Sequence, residues 1–413
     1  MAFVLLSPPN SRPRSSIRRR NFWKPVSQGL CIDAPFLCNN LRHSSRRCFL
    51  PNPSSNLLQL PVSRRKFRTE HLFSIPVLNS AEEGQAERAS DSVSERFRHI
   101  KLLVVGTGAV GSLYGGKLSQ VGVQVSTLCR SDFKVVRDKG IFIKSIWGDF
   151  TFHPSQVLKR ASDIAEKPDY ILVALKALPE IDVAELIGPA VGDNTAIVLM
   201  QNGIDIEVAV AKAFPNNEII SGLAFVCSSR TDAGFIQHID YGRIAIGHYP
   251  TGTSASTDLL GKAFNEAGVP CEVTSNVVRA RWIKLLWNAP FNPMSVLMGR
   301  ANTQVMLSTE AAQCLARQIM EEVRVVAAAD GYDFPYELVD KNINDTMVMK
   351  PYRPSMLLDF EAKRPLEVEA ILGNAVRKAS ALGVQVPRLQ SLYALLQIAD
   401  VQNRLTLDDT AGQ

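Results

Sequence analysis

The stretch Ile100-Lys101-Leu102-Leu103-Val104-Val105-Gly106-Thr107-Gly108-Ala109-Val110-Gly111 decides the fold. Ile100 to Val105 is a short β-forming run, and the glycine turn follows it without a gap. Leu113 to Val121 continues as a helix-forming stretch stopped by Gly122, and Val123 to Leu128 reads as a second strand. GxGxxG alone matches many turns. Strand, glycine turn, helix and strand within about thirty residues is far more specific and marks a dinucleotide-binding βαβ unit. Gly106 permits the tight turn, Gly108 lets the backbone approach a pyrophosphate, and Gly111 lets the helix pack on the strand. The helix N-terminus then faces the phosphate charge. Thr107, Ala109 and Val110 belong to the same turn and are taken with the glycines as cofactor-binding residues.

The residues beyond the second strand bear on the choice of cofactor. A fold that selects NAD places Asp or Glu there to accept from the ribose 2′-hydroxyl. This chain has Thr127-Leu128-Cys129-Arg130-Ser131, and an arginine at that point pairs with a 2′-phosphate, favouring NADP(H). A solvated loop arginine is the alternative reading, and the nearby Asp132 keeps NAD open. Two later apolar runs, Tyr170 to Leu175 and Ala196 to Met200, suit strands buried on both faces. They deliver Lys176 and Gln201-Asn202-Gly203 at their carboxyl ends, where an open parallel sheet holds its ligand. Ile219 to Val226 and Arg243 to Gly247 look like further strands, which complete a Rossmann-type domain over 99–275.

From about Asn276 the pattern turns helical, giving an all-α domain over 276–413. Leu315, Ile319, Val323 and Val326 form one apolar stripe stopped by Gly331; Val368, Leu372, Ala375, Ala379 and Leu382 form another stopped by Gly383. In Arg281 to Gly299 (RWIKLLWNAPFNPMSVLMG), Lys284, Asn288 and Asn292 recur at helical spacing on one face. An ammonium and two amides on an otherwise apolar helix point to a polar cleft, with a solvated stripe as the alternative. Pro290 and Pro293 are expected to bend that face. Glu367 opens a helix, where a carboxylate is stabilising in its own right. Ser355, between Pro354 and Met356, reads as a loop hydroxyl.

Ahead of these domains lies a segment of different character. Of 413 residues, the first 69 carry 13 Lys or Arg against the single acid Asp33, which leaves 33 basic and 39 acidic residues in the remainder. The formal charge of +6 is therefore a property of the N-terminus, and the body carries no electrostatic case for a nucleic-acid partner. Arg, Ser, Pro and Asn without hydrophobic periodicity are the composition of an organelle transit peptide over 1–80, with a linker over 81–98. The Met-Ala start and Ser/Pro content favour a chloroplast over a mitochondrion; a basic tail that binds an acidic partner is the alternative. No apolar run reaches the roughly 18 to 20 residues that span a bilayer, so the chain is read as soluble. Cys129, Cys227, Cys271 and Cys314 are dispersed, as in a reducing compartment, and no metal-ligand spacing occurs.

Together the motifs GTGAVG (106–111), ALKA (174–177), QNG (201–203), WIKLLWNAPFNP (282–293) and PSMLLDFEAKRPLEVEAI (354–371) resemble the ketopantoate reductase (2-dehydropantoate 2-reductase) family, from about residue 99 to the C-terminus. The resemblance implies a Rossmann domain plus a helical domain and NADPH-dependent reduction of ketopantoate to pantoate in pantothenate synthesis. It implies that Lys284 donates the proton, and that Glu367 contacts both the cofactor and Lys284. It further implies that Asn288, Asn292, Asn302 and Ser355 contact the substrate, that Asn202 touches substrate and nicotinamide, and that Lys176 and, less securely aligned, Ser228 contact the cofactor. Pro290 and Phe291 depart from the family pattern between the two asparagines and leave the exact 2-oxo acid open. Another 2-oxo acid or imine on the same frame, or a silent NADP-binding regulator, are the alternative functions. A homodimer through the helical domain is the one macromolecular partner the resemblance suggests.

Overall fold

The structure is a computed structural model that describes residues 97–411, with side chains to residue 405. The transit segment expected over 1–80 lies outside the described residues, as does the linker through residue 96. Ten strands form one sheet: β1 (Lys101–Val105), β2 (Gln124–Leu128), β3 (Ile141–Ser145), β4 (Phe150–Phe152), β5 (Val157–Leu158), β6 (Tyr170–Val173), β7 (Ala196–Leu199), β8 (Ile219–Asp232), β9 (Phe235–His248) and β10 (Cys271–Val273). Their order is β4-β3-β9-β8-β7-β6-β1-β2-β5, with β10 paired to β9. The half from β8 to β5 is parallel throughout, Val104 of β1 lying between Thr127 and Leu172. Every residue of β6 and β7 is buried, which explains their unbroken apolar runs.

The chain leaves β1 through α1 (Ala109–Gln120), adds β2 on one side, and returns to place β6 on the other. This reversal makes the carboxyl ends of β1 and β6 the crevice of the sheet. Further helices in this half are α2 (Phe133–Lys139), α3 (Val183–Ile187), α4 (Val208–Ala213) and α5 (Ala255–Glu266). The short strands read at 219–226 and 243–247 are halves of a long antiparallel pair, β8 and β9, each of 14 residues. Their distal parts, such as Ser228-Ser229-Arg230 against Ile236-Gln237-His238, are too polar to show in a hydrophobic pattern, yet the ladder continues through them with bulges.

The helical part holds α6 (Val277–Leu297), α7 (Thr303–Met306), α8 (Glu310–Ala329), α9 (Glu337–Val348), α10 (Ser355–Glu361), a π-helical turn at Glu369–Gly373, α11 (Asn374–Ala381) and α12 (Pro387–Ala411). Its core joins Trp282, Leu285, Leu286, Ala289 and Phe291 of α6 to Ile319, Met320, Val323 and Val326 of α8. The bend expected at Pro290 and Pro293 does not divide α6, which runs through both prolines as one helix of 21 residues. Both prolines are buried, so the packing that surrounds α6 outweighs the two missing backbone donors. Phe291 is fully buried and stacks on Trp287 at 5.0 Å, which places it in the helical core and not among the polar groups. Leu315, in the second turn of α8, and Leu382, which caps α11, read as members of apolar stripes but are exposed, while the other stripe residues are buried.

Candidate active site

The glycine turn has the shape its spacing requires. Gly106 has φ +101°, and a Cβ there would lie 2.8 Å from Leu175 Cδ2. At Gly111 a Cβ would sit 2.2 Å from the Gly106 carbonyl oxygen and 2.9 Å from Val104, so only glycine lets α1 approach β1. Gly108 differs: a Cβ there would meet nothing within 4 Å. It opens on free space at the N-terminus of α1, which has no side-chain cap and no acid in its first turn. An uncapped helix start beside an open glycine fits a phosphate group. Gly108→Ala should therefore leave the melting temperature nearly unchanged while weakening dinucleotide binding about tenfold or more. Gly111→Ala should destabilise the protein by about 3 kcal/mol or more and lower the melting temperature by several degrees. Calorimetric melting and a dinucleotide titration check both.

From the carboxyl ends of β6 and β7 a polar chain crosses to the helical domain. Lys176 Nζ lies 2.5 Å from Asp359 Oδ2 and 3.3 Å from Glu367 Oε2. Glu367, buried to 4% exposure, also accepts from the Ala177 N–H at 3.0 Å and from Asn202 Nδ2 at 3.2 Å. Asn202 Oδ1 accepts from Lys284 Nζ at 3.0 Å, and Lys284 Nζ donates to the Ala224 carbonyl at 2.7 Å. Here the expectation from resemblance is corrected: Glu367 does not bond Lys284 directly. Asn202 stands between them, because an amide can accept from an ammonium on one side and donate to a carboxylate on the other. The QNG turn is held in place by Gly203, φ +99°, whose missing Cβ would collide with the Ala370 carbonyl in the π-helical turn.

The two lysines of this chain are driven in opposite directions. Burial would lower Lys176, but Glu367 and Asp359 outweigh it and hold the ammonium above its ordinary range. Lys284 is pushed down from 10.5 to about 7, first by burial and then by the positive charges of Arg281 and Arg243, with Glu367 opposing. A group poised near neutral pH can both hold and release a proton. Removing the Glu367 charge should lower Lys284 further. Glu367→Gln is expected to shift the alkaline limb of the pH–rate profile toward lower pH, read from kcat/KM against pH.

Arg281, one turn before Lys284, ties the domains together. Its guanidinium is ion-paired with the buried Glu207 and donates to Ser221 Oγ at 2.7 Å. It also donates to the carbonyls of Leu199, Gln201, Gly203 and Gly222 at 2.8 to 3.1 Å. A helical residue thus gathers the ends of β7 and β8 and sets the Asn202 turn against Lys284.

The other candidate residues are placed less uniformly. Asn288 and Asn292 follow Lys284 along α6 and are buried, and Asn292 Oδ1 has no hydrogen-bond partner. Ser228 Oγ on β8 is likewise buried and unpartnered. Unsatisfied buried acceptors of this kind are rare without a ligand or water to complete them. Asn302 caps α7, its Oδ1 accepting from the Val305 N–H at 3.0 Å, so its carbonyl has a structural task. Ser355 is the first residue of α10, not a loop residue. Arg130 is exposed beyond β2, while Asp132 is buried and paired with Arg230 at 2.6 Å.

Sequence reasoning passed over Asp359, Arg281 and Glu207. Asp359 stands four residues after Ser355, a helical spacing within a segment already singled out, and was findable on that ground. Glu207 sits in a polar loop-to-helix stretch and carries no such signal.

A parallel sheet with its glycine turn, joined to a helical domain by a buried polar chain at the sheet's carboxyl edge, defines a two-domain oxidoreductase frame. Family models agree with it: the model described as ketopantoate reductase PanE/ApbA matches residues 102–251 and that described as ketopantoate reductase PanE/ApbA C terminal matches 276–400. The chain belongs to the ketopantoate reductase PanE/ApbA family. It is 37% identical over 318 residues to a 2-dehydropantoate 2-reductase of Nostoc sp., covering 75% of this chain and 98% of that protein. Among solved structures it is similar to the 2-dehydropantoate 2-reductase from Methylococcus capsulatus, with 47% identity, a TM-score of 0.70, and coverage of 74% of this chain and 98% of the other. The enzyme of the same name from Geobacter metallireducens gives 35% identity, a TM-score of 0.69, and coverage of 73% and 100%. D-mandelate dehydrogenase, solved with NADH and anilino(oxo)acetate, shares the fold at 21% identity and a TM-score of 0.67.

Proposed function

We propose that this chain catalyses the NADPH-dependent reduction of 2-dehydropantoate to pantoate. The observation that carries the proposal is Lys284: a half-buried amine, lowered to about 7, hydrogen-bonded to the Asn202 turn at the carboxyl edge of the sheet. The turn Gly106 to Gly111 would hold the pyrophosphate of the cofactor, with Arg130 at its 2′-phosphate. Lys176 and Asn202 would stand along its nicotinamide half. When bound, the cofactor supplies hydride to the C2 carbonyl of the substrate.

Negative charge then develops on the carbonyl oxygen. Lys284 stabilises that charge and gives up its Nζ proton to the oxygen, so one group does both tasks. Its amine stays oriented by Asn202 and the Ala224 carbonyl, while the Glu367 carboxylate behind Asn202 keeps enough positive charge on it near neutral pH. The free Oδ1 of Asn292 would accept from the substrate's hydroxyl, the amide of Asn288 and the hydroxyl of Ser355 would donate to its carboxylate, and the unpartnered Ser228 hydroxyl would stand on the cofactor side. Asn302 would contribute only through its amide nitrogen, its oxygen being held in the α7 cap.

The test is a panel of 2-oxo acids and imines offered to purified protein with NADPH and with NADH. Ketopantoate with NADPH should give the highest kcat/KM, and equal turnover of unbranched 2-oxo acids would overturn the substrate. Pantoate formation in a pantothenate-requiring cell gives an independent check. The basic, acid-poor N-terminal segment supports placing this reaction in an organelle, a chloroplast ahead of a mitochondrion.

A further inference from the structure

Where β2 and β5 end, the molecule carries more positive charge than its acids can pair. Leu128 and Leu158 are the last register partners of this parallel pair, and the Cys129 N–H donates to the Leu158 carbonyl at 3.0 Å. Cys129-Arg130 and Lys159-Arg160 therefore run out of the sheet side by side. Lys159 Nζ lies 4.7 Å from the ring centroid of Phe133, the first residue of α2, and the Arg137 guanidinium lies 5.5 Å from the same ring. Each acid of this corner is engaged. Asp132 pairs with Arg230 at 2.6 Å, Asp163 with Arg160 at 2.9 Å and Asp138 with Arg137 at 2.7 Å, and Lys134 and Lys139 also act on Asp138. Arg130 and Lys159 are both exposed, and neither has a carboxylate partner among the described residues.

We propose that Lys159 is the second cation of a 2′-phosphate site, set beside Arg130 at the ends of β5 and β2, and that it contributes to the choice of NADP(H) over NAD(H). A phosphate monoester carries about −1.5 to −2 charge at neutral pH, so one guanidinium leaves about half of it unbalanced. A lysine ammonium completes the balance as a point charge, while the arginine supplies the planar bidentate contact. Phe133 holds the lysine stem and head in reach of that position, since its ring attracts the ammonium without neutralising it. Arg160 follows Lys159 directly, but its guanidinium is already committed to Asp163.

This inference rests on the NADPH reading, and the experiment separates the two. Wild type and the variants Arg130→Ala, Lys159→Ala and Arg160→Ala are titrated calorimetrically with 2′,5′-ADP and with 5′-AMP. Lys159→Ala should weaken 2′,5′-ADP about tenfold and leave 5′-AMP unchanged, with the difference shrinking as salt is raised. Arg160→Ala should change neither. A Lys159→Ala protein that loses both probes equally, or loses neither, overturns the assignment. If Arg130→Ala discriminates between the probes and Lys159→Ala does not, the lysine assignment fails and the cofactor reading stands. If wild type binds the two probes equally, the cofactor reading fails and this inference falls with it.

Discussion

Lys284→Ala is expected to lower kcat by roughly 10² to 10⁴-fold, the usual share of general acid catalysis, while dinucleotide binding is retained. The separation of the two effects follows from where the amine is anchored: its partners are Asn202 Oδ1 and the Ala224 carbonyl, neither of them part of the glycine turn. The pH dependence gives a second handle. Lys284 must carry its proton to donate it, and its pKa is lowered to about 7, so kcat/KM should be level below that pH and fall about tenfold per unit above it. In Lys284→Ala that limb should vanish. Steady-state kinetics across pH 5 to 9, with cofactor affinity measured by fluorescence titration, check both; an unaltered rate would end the proposed mechanism.

Arg281→Met should destabilise the protein by about 3–5 kcal/mol, read from urea unfolding. The guanidinium is 1% exposed and ion-paired with Glu207, itself 1% exposed, so its removal leaves a carboxylate buried without a cation. Four backbone carbonyls and Ser221 Oγ lose a donor at the same time. The double variant Arg281→Met/Glu207→Gln should recover part of the loss, because the stranded charge is gone. Arg281 also repels the Lys284 ammonium. At temperatures where the single variant stays folded, the alkaline limb should therefore move to higher pH, opposite to the shift expected of Glu367→Gln. A common direction for the two shifts would contradict the electrostatic account.

Much of the frame was legible in order along the chain. The βαβ unit at 101–128 and the buried strands at 170–173 and 196–199 follow from runs of apolar residues and from a glycine turn in which Gly106 and Gly111 admit no side chain. The polar far halves of β8 and β9 were not legible, because ladder hydrogen bonds hold them without an apolar signature. In the site, Lys284, Asn288 and Asn292 were visible as a helical repeat. The uninterrupted course of α6 through two prolines was not, since packing on neighbouring helices decided it.

The amino-acid sequence by itself determined the architecture, the glycine turn and the types of polar group that matter, because burial and backbone freedom act on neighbours in the chain. Tertiary structure alone decided how those groups pair. Asn202 meets Lys284 across 82 positions and Glu367 across 165, Arg281 finds Glu207, and Asp132 is taken by Arg230. Coulomb forces and hydrogen bonds depend on distance in space, and no periodicity along a chain encodes which backbones the fold will bring within 3 Å of one another.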